Sequence, residues 1–357
     1  MKRFSLSLAR AWAVWVSWHA RRAERACGTV QVSRLRTSWQ QRQRWLAAVL
    51  CLLAASATSV ASAAQAAEVT DDRGRTLRFD KPAMRVVSLL PSLTESVCAL
   101  GACQRLVGVD RYSDWPAQVQ RLPQVGGGLN PSVEAIVALR PDVVLASESS
   151  RATERLAALG VKVVALRTQT HADVRKGLTR IAAILGLPAQ QADAVWQSIG
   201  QGIAQAAQTV PPAARGQRVF IEVSRGPYAA GEQSFIGETL RMLGMKNAVP
   251  ATQGPFPKLN PEFVVRADPD LIIFAHRAAQ DQALYPGWQQ LRAVRQQRLC
   301  RLSEQDANLL VRPGPRMAEG AAVLARCIQR IGVASGAAPA GKPQAAKPAQ
   351  TLAPVAP

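Results

Sequence analysis

Two glutamates, Glu134 and Glu262, occupy the same setting in the two halves of the chain. Each stands seven residues before a Pro-Asp pair, Pro141-Asp142 and Pro269-Asp270, and each pair opens an apolar run, Val143 to Leu145 and Leu271 to Ile273. Each also follows an Asn-Pro pair, Asn130-Pro131 and Asn260-Pro261. Proline fits the first helical position, while Pro-Asp closes a helix and feeds a buried strand. Both carboxylates are therefore expected on the first turn of a short helix. There a carboxylate can do one of two things: complement its own helix dipole, or meet an external cation through charge-assisted bonds. Repetition at equal spacing favours the second. A fainter echo precedes each copy, Ser92 opening a helical stretch that ends at Leu100-Gly101 and Ser234 one that ends at Leu243-Gly244. The chain reads as two related lobes built on one plan.

Other reactive residues are sparse. Beyond residue 66 the only histidines are His171 and His276, with no paired-His motif and no nucleophile elbow, so an enzyme is not expected. Gly126-Gly127-Gly128 lacks the spacing and the helix of a nucleotide fingerprint. Four cysteines lie in this part, Cys98, Cys103, Cys300 and Cys327, with no Cys-x-x-Cys spacing to hold a metal. An even count in an exported chain favours bridges, and the economical pairing is Cys98 with Cys103 and Cys300 with Cys327. Free buried thiols are the alternative.

The elements that position these residues alternate. In the first half strands are expected at Val86 to Leu89, Leu106 to Val109, Val143 to Ala146 and Val161 to Leu166. Helices fall between them, at Leu93 to Leu100, Ser132 to Leu139 and Thr153 to Leu159. Such alternation implies a mostly parallel sheet covered by helices. Ser92 with Glu95 reads as a capping box. Helical periodicity then persists, broken at Gly186-Leu187-Pro188, and a helix from Pro188 to about Gln208 is long enough, at roughly 30 Å, to cross a domain. Trp196, Ile199 and Ile203 form its core-facing stripe. The second half repeats the scheme. Strands are expected at Arg218 to Val223, Leu271 to Ala275 and Leu299 to Leu302, and helices at Phe235 to Leu243, Pro261 to Ala267 and Pro315 to Ile331.

The full chain of 357 residues carries a net charge of +20, which would fit a nucleic-acid partner if it belonged to the folded part. Residues 1–66 hold ten Lys or Arg against the single Glu24, so +9 belongs to this segment; the remaining +11 is spread along the chain with acidic residues between and without a basic cluster interleaved with aromatics, so DNA or RNA binding is not expected. Arg42 and Arg44, the apolar run Trp45 to Ala55, and the cleavage candidates Ala61-Ser62-Ala63 and Ala64-Gln65-Ala66 have the layout of a secretory signal peptide. The eleven-residue run is short for a membrane span. Leu50 directly before Cys51 is unsuited to a lipoprotein signal, and residues 1–41 exceed a usual charged n-region, as an early start codon would produce. After Gly332 the Ala, Pro, Gly, Lys and Gln composition predicts a disordered tail. The expected division is a leader (residues 1–66), an N-terminal α/β lobe (67–187), a connecting helix (188–210), a C-terminal α/β lobe (211–334) and the tail (335–357).

The local sequences resemble a known family. Arg85 to Glu95, the Tyr-Ser-Asp-Trp-Pro segment within Leu106 to Pro116, Asn130 to Leu145, Pro227-Tyr228, Phe256-Pro257, Glu262 to Ile273 and Arg312 to Arg316 are similar to the periplasmic vitamin B12-binding proteins. These are class III substrate-binding proteins of ABC importers, in the helical-backbone metal receptor superfamily. The resemblance covers residues 84–331 and implies two Rossmann-like α/β lobes, a single long backbone helix, and a ligand cleft between the lobes. It implies a periplasmic monomer that captures a corrinoid such as cobalamin, uses no cofactor, and delivers its cargo to a permease dimer with ATPase subunits. Another metal chelate, a ferric siderophore or haem, is the alternative cargo. Glu134 and Glu262 match the family's permease-docking glutamates.

Ligands of doubly wound sheets bind beyond the carboxyl ends of the strands. That rule and the resemblance together place Pro91, Ser92, Tyr112, Trp115, Gly127, Ser147, Tyr228, Phe256, Arg312 and Arg316 at the cleft. Aromatic rings suit a large flat macrocycle. His276 is a candidate axial metal ligand, with a hydrogen-bonded structural role as its alternative. Gly128 and Ser147 stand where vitamin-binding members have Trp, which implies a wider or more polar cleft.

Overall fold

The computed structural model describes residues 66–276 and 283–334. The leader and tail expectations, residues 1–65 and 335–357, lie outside the described residues. A hairpin of β1 (Ala67–Thr70) and β2 (Thr76–Phe79) opens the described part, its turn held by Asp71, whose Oδ1 accepts from the Arg73 and Arg75 amides. A four-stranded parallel sheet follows in the order β4-β3-β5-β6, from β3 (Val86–Ser88), β4 (Leu106–Val109), β5 (Val143–Ser147) and β6 (Val163–Leu166). Its helices are α1 (Pro91–Ala99), α2 (Val133–Ala138), α3 (Thr153–Ala158) and α4 (His171–Ile184).

Helix α5 (Ala189–Gln208) leads to the second sheet. This has the order β11-β10-β7-β8 with β9 also on β7, from β7 (Arg218–Ser224), β8 (Tyr228–Ala229), β9 (Lys246–Asn247), β10 (Leu271–Phe274) and β11 (Leu299–Arg301). Only β8 runs antiparallel in it. The helices here are α6 (Phe235–Met242), α7 (Pro261–Ala267), the single turn α8 (Arg292–Arg295), α9 (Glu304–Val311) and α10 (Met317–Ala334). Strands β3, β6 and β10 are buried along their whole length and β5 as far as Ala146, as the Val, Ile and Leu content of parallel strands covered on both faces leads one to expect.

Helix α5 joins the halves through its buried stripe, Ala192, Ile199, Ile203 and Ala206. Trp196 is half-buried and meets the His171 ring edge-on at 5.9 Å. Helix α10 lies so close to α5 that a Cβ on Gly202 would stand 2.5 Å from that of Ala318. Glycine is required there by proximity, not by turn geometry.

The repeated Pro-Asp pairs have a structural explanation that is itself repeated. Asp142 Oδ2 accepts from the Met84 and Arg85 amides, and Asp270 Oδ2 accepts from the Arg218 amide. In return the Arg85 guanidinium donates to the Leu139 and Arg140 carbonyls at the end of α2, and that of Arg218 to the Asp268 carbonyl at the end of α7. The left-handed residue that ends each helix, Arg140 (φ 44°) or Asp268 (φ 36°), lies two positions before the Asp. Each clasp ties a short helix to the start of the central strand beside it, satisfying carbonyls that helix termini leave unpaired.

Three local expectations fail. Ser92 caps nothing: α1 starts at Pro91 with Leu90 as N-cap, and the Ser92 carbonyl accepts from Ser96 Oγ. Glu95 is drawn away from the helix end by two arginines, described below. In the first Glu repeat Asn130-Pro131 does not open the helix; Ser132 does, its Oγ accepting from the Ala135 amide. In the second repeat Asn260 is the N-cap and Pro261 the first helical residue. Both glutamates nevertheless reach the second helical position. Helix α9 was not foreseen, although Ser303 with Asp306 three residues on carries its capping signal, Ser303 Oγ accepting from the Asp306 amide. The structure joins Cys98 to Cys103 and Cys300 to Cys327.

Candidate functional site

The carboxyl ends of β3 and β4 carry the first group of site residues. After β4 the chain makes a tight acidic loop from Asp110 to Trp115. Asp110 is buried, accepts from the Ser113 hydroxyl at 2.5 Å and from the Tyr112 amide at 3.0 Å, and so holds the loop's curvature. Burial pushes the Asp110 carboxyl above the usual carboxylate range, against the opposing bond from Ser113. The loop presents Tyr112 and Trp115 outward, 47% and 39% exposed. Gly127 lies beneath them, its Cβ direction open to within 3.8 Å of Arg111 and 3.9 Å of the Tyr112 ring.

Gly128 packs against the end of β3: a Cβ there would stand 2.3 Å from the Leu89 carbonyl oxygen, so any side chain at this position would require the backbone to shift. Ser147 is half-buried and bonds Ser149 Oγ at 2.8 Å, and Glu148 beside it pairs with Arg167 at 3.0 Å.

In the second half, Tyr228 is 39% exposed with the Lys258 ammonium 5.8 Å from its ring centroid. Phe256 is half-buried and packs against Phe235 at 5.9 Å, which makes it part of the wall's support. His276 follows β10 with its Nε2 buried, facing inward to Glu222 Oε2 at 4.0 Å; neither atom has a hydrogen-bond partner among the described residues. Tyr285 donates to Glu222 Oε1 at 2.5 Å and receives the Gly226 amide. Burial raises the Glu222 carboxyl, and burial together with Arg225 and Arg301 lowers the His276 imidazole. Both shifts favour the uncharged form of the group concerned. Tyr285 is pushed up to about 12, first by burial and then by its bond to Glu222.

Arg312 and Arg316, expected to face a ligand, are spent on joining the halves. Arg312 is buried, and its two terminal nitrogens meet four acceptors: Glu95 Oε1 at 3.0 Å, Asp114 Oδ1 at 2.6 Å, Asp114 Oδ2 at 3.1 Å and the Tyr112 carbonyl at 3.1 Å. Arg316 grips Glu95 with Nε at 3.2 Å and Nη2 at 2.9 Å, and its guanidinium lies 4.8 Å from the Trp115 ring centroid. Between the two arginines, Gly314 sits so close to Ser92 that a Cβ would lie 3.2 Å from the Ser92 carbonyl. Glu95 and Asp114 escaped the sequence reading. The signal was available for Glu95, since an acid inside the apolar face of α1 needs a cationic partner when buried.

Glu134 and Glu262 stand on exposed helix starts and take no part in this network. The Glu134 carboxyl is held below its ordinary value by its own amide and by the Ser132 hydroxyl, so it is an anion at neutral pH.

With this geometry in place, comparison with known proteins is decisive at the family level. The family described as periplasmic binding protein matches residues 86–305. The chain belongs to that family. This periplasmic binding protein is 30% identical over 271 residues to an uncharacterized ABC transporter substrate-binding lipoprotein of Bacillus subtilis, covering 73% of this chain and 84% of that one. It is 29% identical over 215 residues to the vitamin B12-binding protein of Pectobacterium carotovorum, covering 59% of this chain and 78% of the relative. A solved periplasmic heme-binding protein from Pseudomonas aeruginosa superposes with TM-score 0.59 and 27% identity, over 73% of this chain and 96% of that one. The mixed α/β, two-lobed architecture is thus the family's. Among the described residues no helix is long and apolar enough to cross a membrane.

Proposed function

We propose that this periplasmic binding protein captures a corrinoid, cobalamin or a precursor, between its two sheets and delivers it to the permease of an ABC importer without chemical change. The observation that carries this reading is the placement of aromatic surface. Among the described residues the strongly exposed aromatic rings are Tyr112 and Trp115, on the loop just beyond the carboxyl end of β4, and Tyr228, which opens β8 shortly after the carboxyl end of β7. Exposed rings in both halves suit a broad, flat, largely apolar ligand. Pro91, Ser92, Gly127, Ser147 and Phe256 shape the floor and walls. Arg312 and Arg316 act by holding the halves in register, and His276, turned toward Glu222, is no axial ligand.

Delivery rests on Glu134 and Glu262. Both are exposed, both occupy the second position of equivalent helices, and each helix is anchored by the same clasp, so two rigidly spaced anions are offered to a two-fold partner. Export by a cleavable leader brings the protein, as a monomer, to the periplasm.

Calorimetry with purified mature protein tests the reading. Saturable heat with cobinamide or cobalamin, and recovery of the ligand unaltered, is the expected result. Binding of haem or a ferric siderophore in place of both corrinoids would move the assignment to that cargo.

A further inference from the structure

We infer that Asp114 selects the cargo by its rim chemistry: it occupies the cleft face of Arg312 and presents a hydrogen-bond acceptor where a carboxylate-bearing ligand would need a donor. This rests on the corrinoid reading above and refines it. The argument begins with the donors. Each terminal nitrogen of Arg312 carries two N–H groups, and all four are met by Glu95, Asp114 and the Tyr112 carbonyl. Arg316 directs Nε and Nη2 to Glu95 and lays its plane by Trp115. Two cations are thus balanced by two carboxylates.

The two carboxylates differ in their access to the cleft. The Glu95 side chain is 1% exposed, whereas that of Asp114 is 51% exposed, on the same loop as the exposed rings of Tyr112 and Trp115. Partial burial alone would raise its pKa, but the bonds and charge of Arg312 outweigh this and hold it below the usual range, so it is charged at neutral pH. An ionised carboxylate accepts about four hydrogen bonds. Asp114 spends one oxygen contact on each Arg312 nitrogen and keeps acceptor capacity facing outward. Primary amides, which ring the corrinoid macrocycle, bring N–H donors to such a group. The propionates of haem and the carboxylates of anionic chelates bring only acceptors and a like charge.

The test holds the macrocycle constant and changes the rim. Cobinamide carries amides where cobyrinic acid carries carboxylates, and the ratio of their Kd values is measured for the wild type, Asp114→Asn and Asp114→Ser, each checked for a wild-type circular dichroism spectrum. Wild type should prefer cobinamide, and both substitutions should lower that preference by about tenfold or more, the size of one charge-assisted hydrogen bond. Corrinoid binding with a preference unchanged to within about twofold in a folded variant overturns the role of Asp114 while leaving the corrinoid reading intact. A wild type that binds neither corrinoid but takes up haem overturns both, since haem is itself a dicarboxylate.

Discussion

Replacing Glu95 with Ala removes the one group that both arginines share. Its side chain is 1% exposed and accepts three hydrogen bonds from two guanidinia, at 3.0, 3.2 and 2.9 Å. Arg312 keeps Asp114 in the variant, but Arg316, whose side chain is 13% exposed, loses both of its carboxylate contacts. Removing one partner of a buried pair costs about 3–5 kcal/mol, because the remaining charge stays desolvated. Water reaching Arg316 past Trp115 offsets part of this, which places the expected loss near the lower end, about 3 kcal/mol. For a folded part of this size that is a fall in Tm of roughly 5 °C. Because the pairs span the halves, the loss should also broaden unfolding monitored by tryptophan fluorescence. Thermal and urea melts of Glu95→Ala and Arg316→Ala, with the double variant, complete a double-mutant cycle. The coupling between Glu95 and Arg316 is expected to exceed about 1 kcal/mol. Additive single effects, or a Glu95→Ala midpoint within about 2 °C of wild type, would show that the network contributes register without stability.

The buried Glu222 gives a pH signature. Its folded pKa lies above the unfolded one, so the native state binds the extra proton and stability falls as pH rises from the ordinary carboxylate range through the raised value. Glu222→Gln should therefore gain stability relative to wild type at pH 8 compared with pH 4, read by urea melts; a pH-independent difference would contradict the upward shift of the Glu222 carboxyl. Removing the Cys300–Cys327 bridge, with a sequence separation of 27, by a double Ser substitution should cost about 3–4 kcal/mol from loop-closure entropy, and an unaltered urea midpoint would argue against it. Reversing both Glu134 and Glu262 to Lys should leave cobinamide affinity within about twofold while abolishing uptake in reconstituted vesicles, since charge inversion at a docking contact typically costs several kcal/mol. Normal uptake would remove their role in delivery.

What the sequence made legible follows from the kind of force involved. Parallel strands announced themselves because burial on both faces demands unbroken apolar runs, and Val143 to Leu145 and Leu271 to Ile273 lie at the heart of their sheets. Helix α5 was legible from the spacing of Ile199 and Ile203 and the breaker before it. The strands β8 and β9 were not, since two residues carry no periodicity and are strands only because β7 pairs with them. The roles of Arg312, Arg316 and Glu95 were hidden for a different reason: Glu95 and Arg312 are 217 positions apart, and an ion pair has no pattern along the chain. A local rule, the capping box, claimed Glu95 because it reads only neighbours.

The lobes share a plan but not a charge. At the outer ends the duplication is preserved down to the clasp, Asp142 with Arg85 and Asp270 with Arg218, and it delivers like-charged Glu134 and Glu262 to equivalent positions. At the inner ends the copies diverge into complements: the first half offers Glu95 and Asp114, the second Arg312 and Arg316. Two identical inner faces would repel wherever charged, whereas complementary ones can close on each other without a ligand. A cleft whose halves already neutralise one another has little net charge left at this point of contact for its cargo. On the proposed corrinoid reading, affinity then comes from the aromatic rings and the residual acceptors at the rim, and it should change little with ionic strength, in contrast to a cleft that recruits its ligand through unpaired arginines.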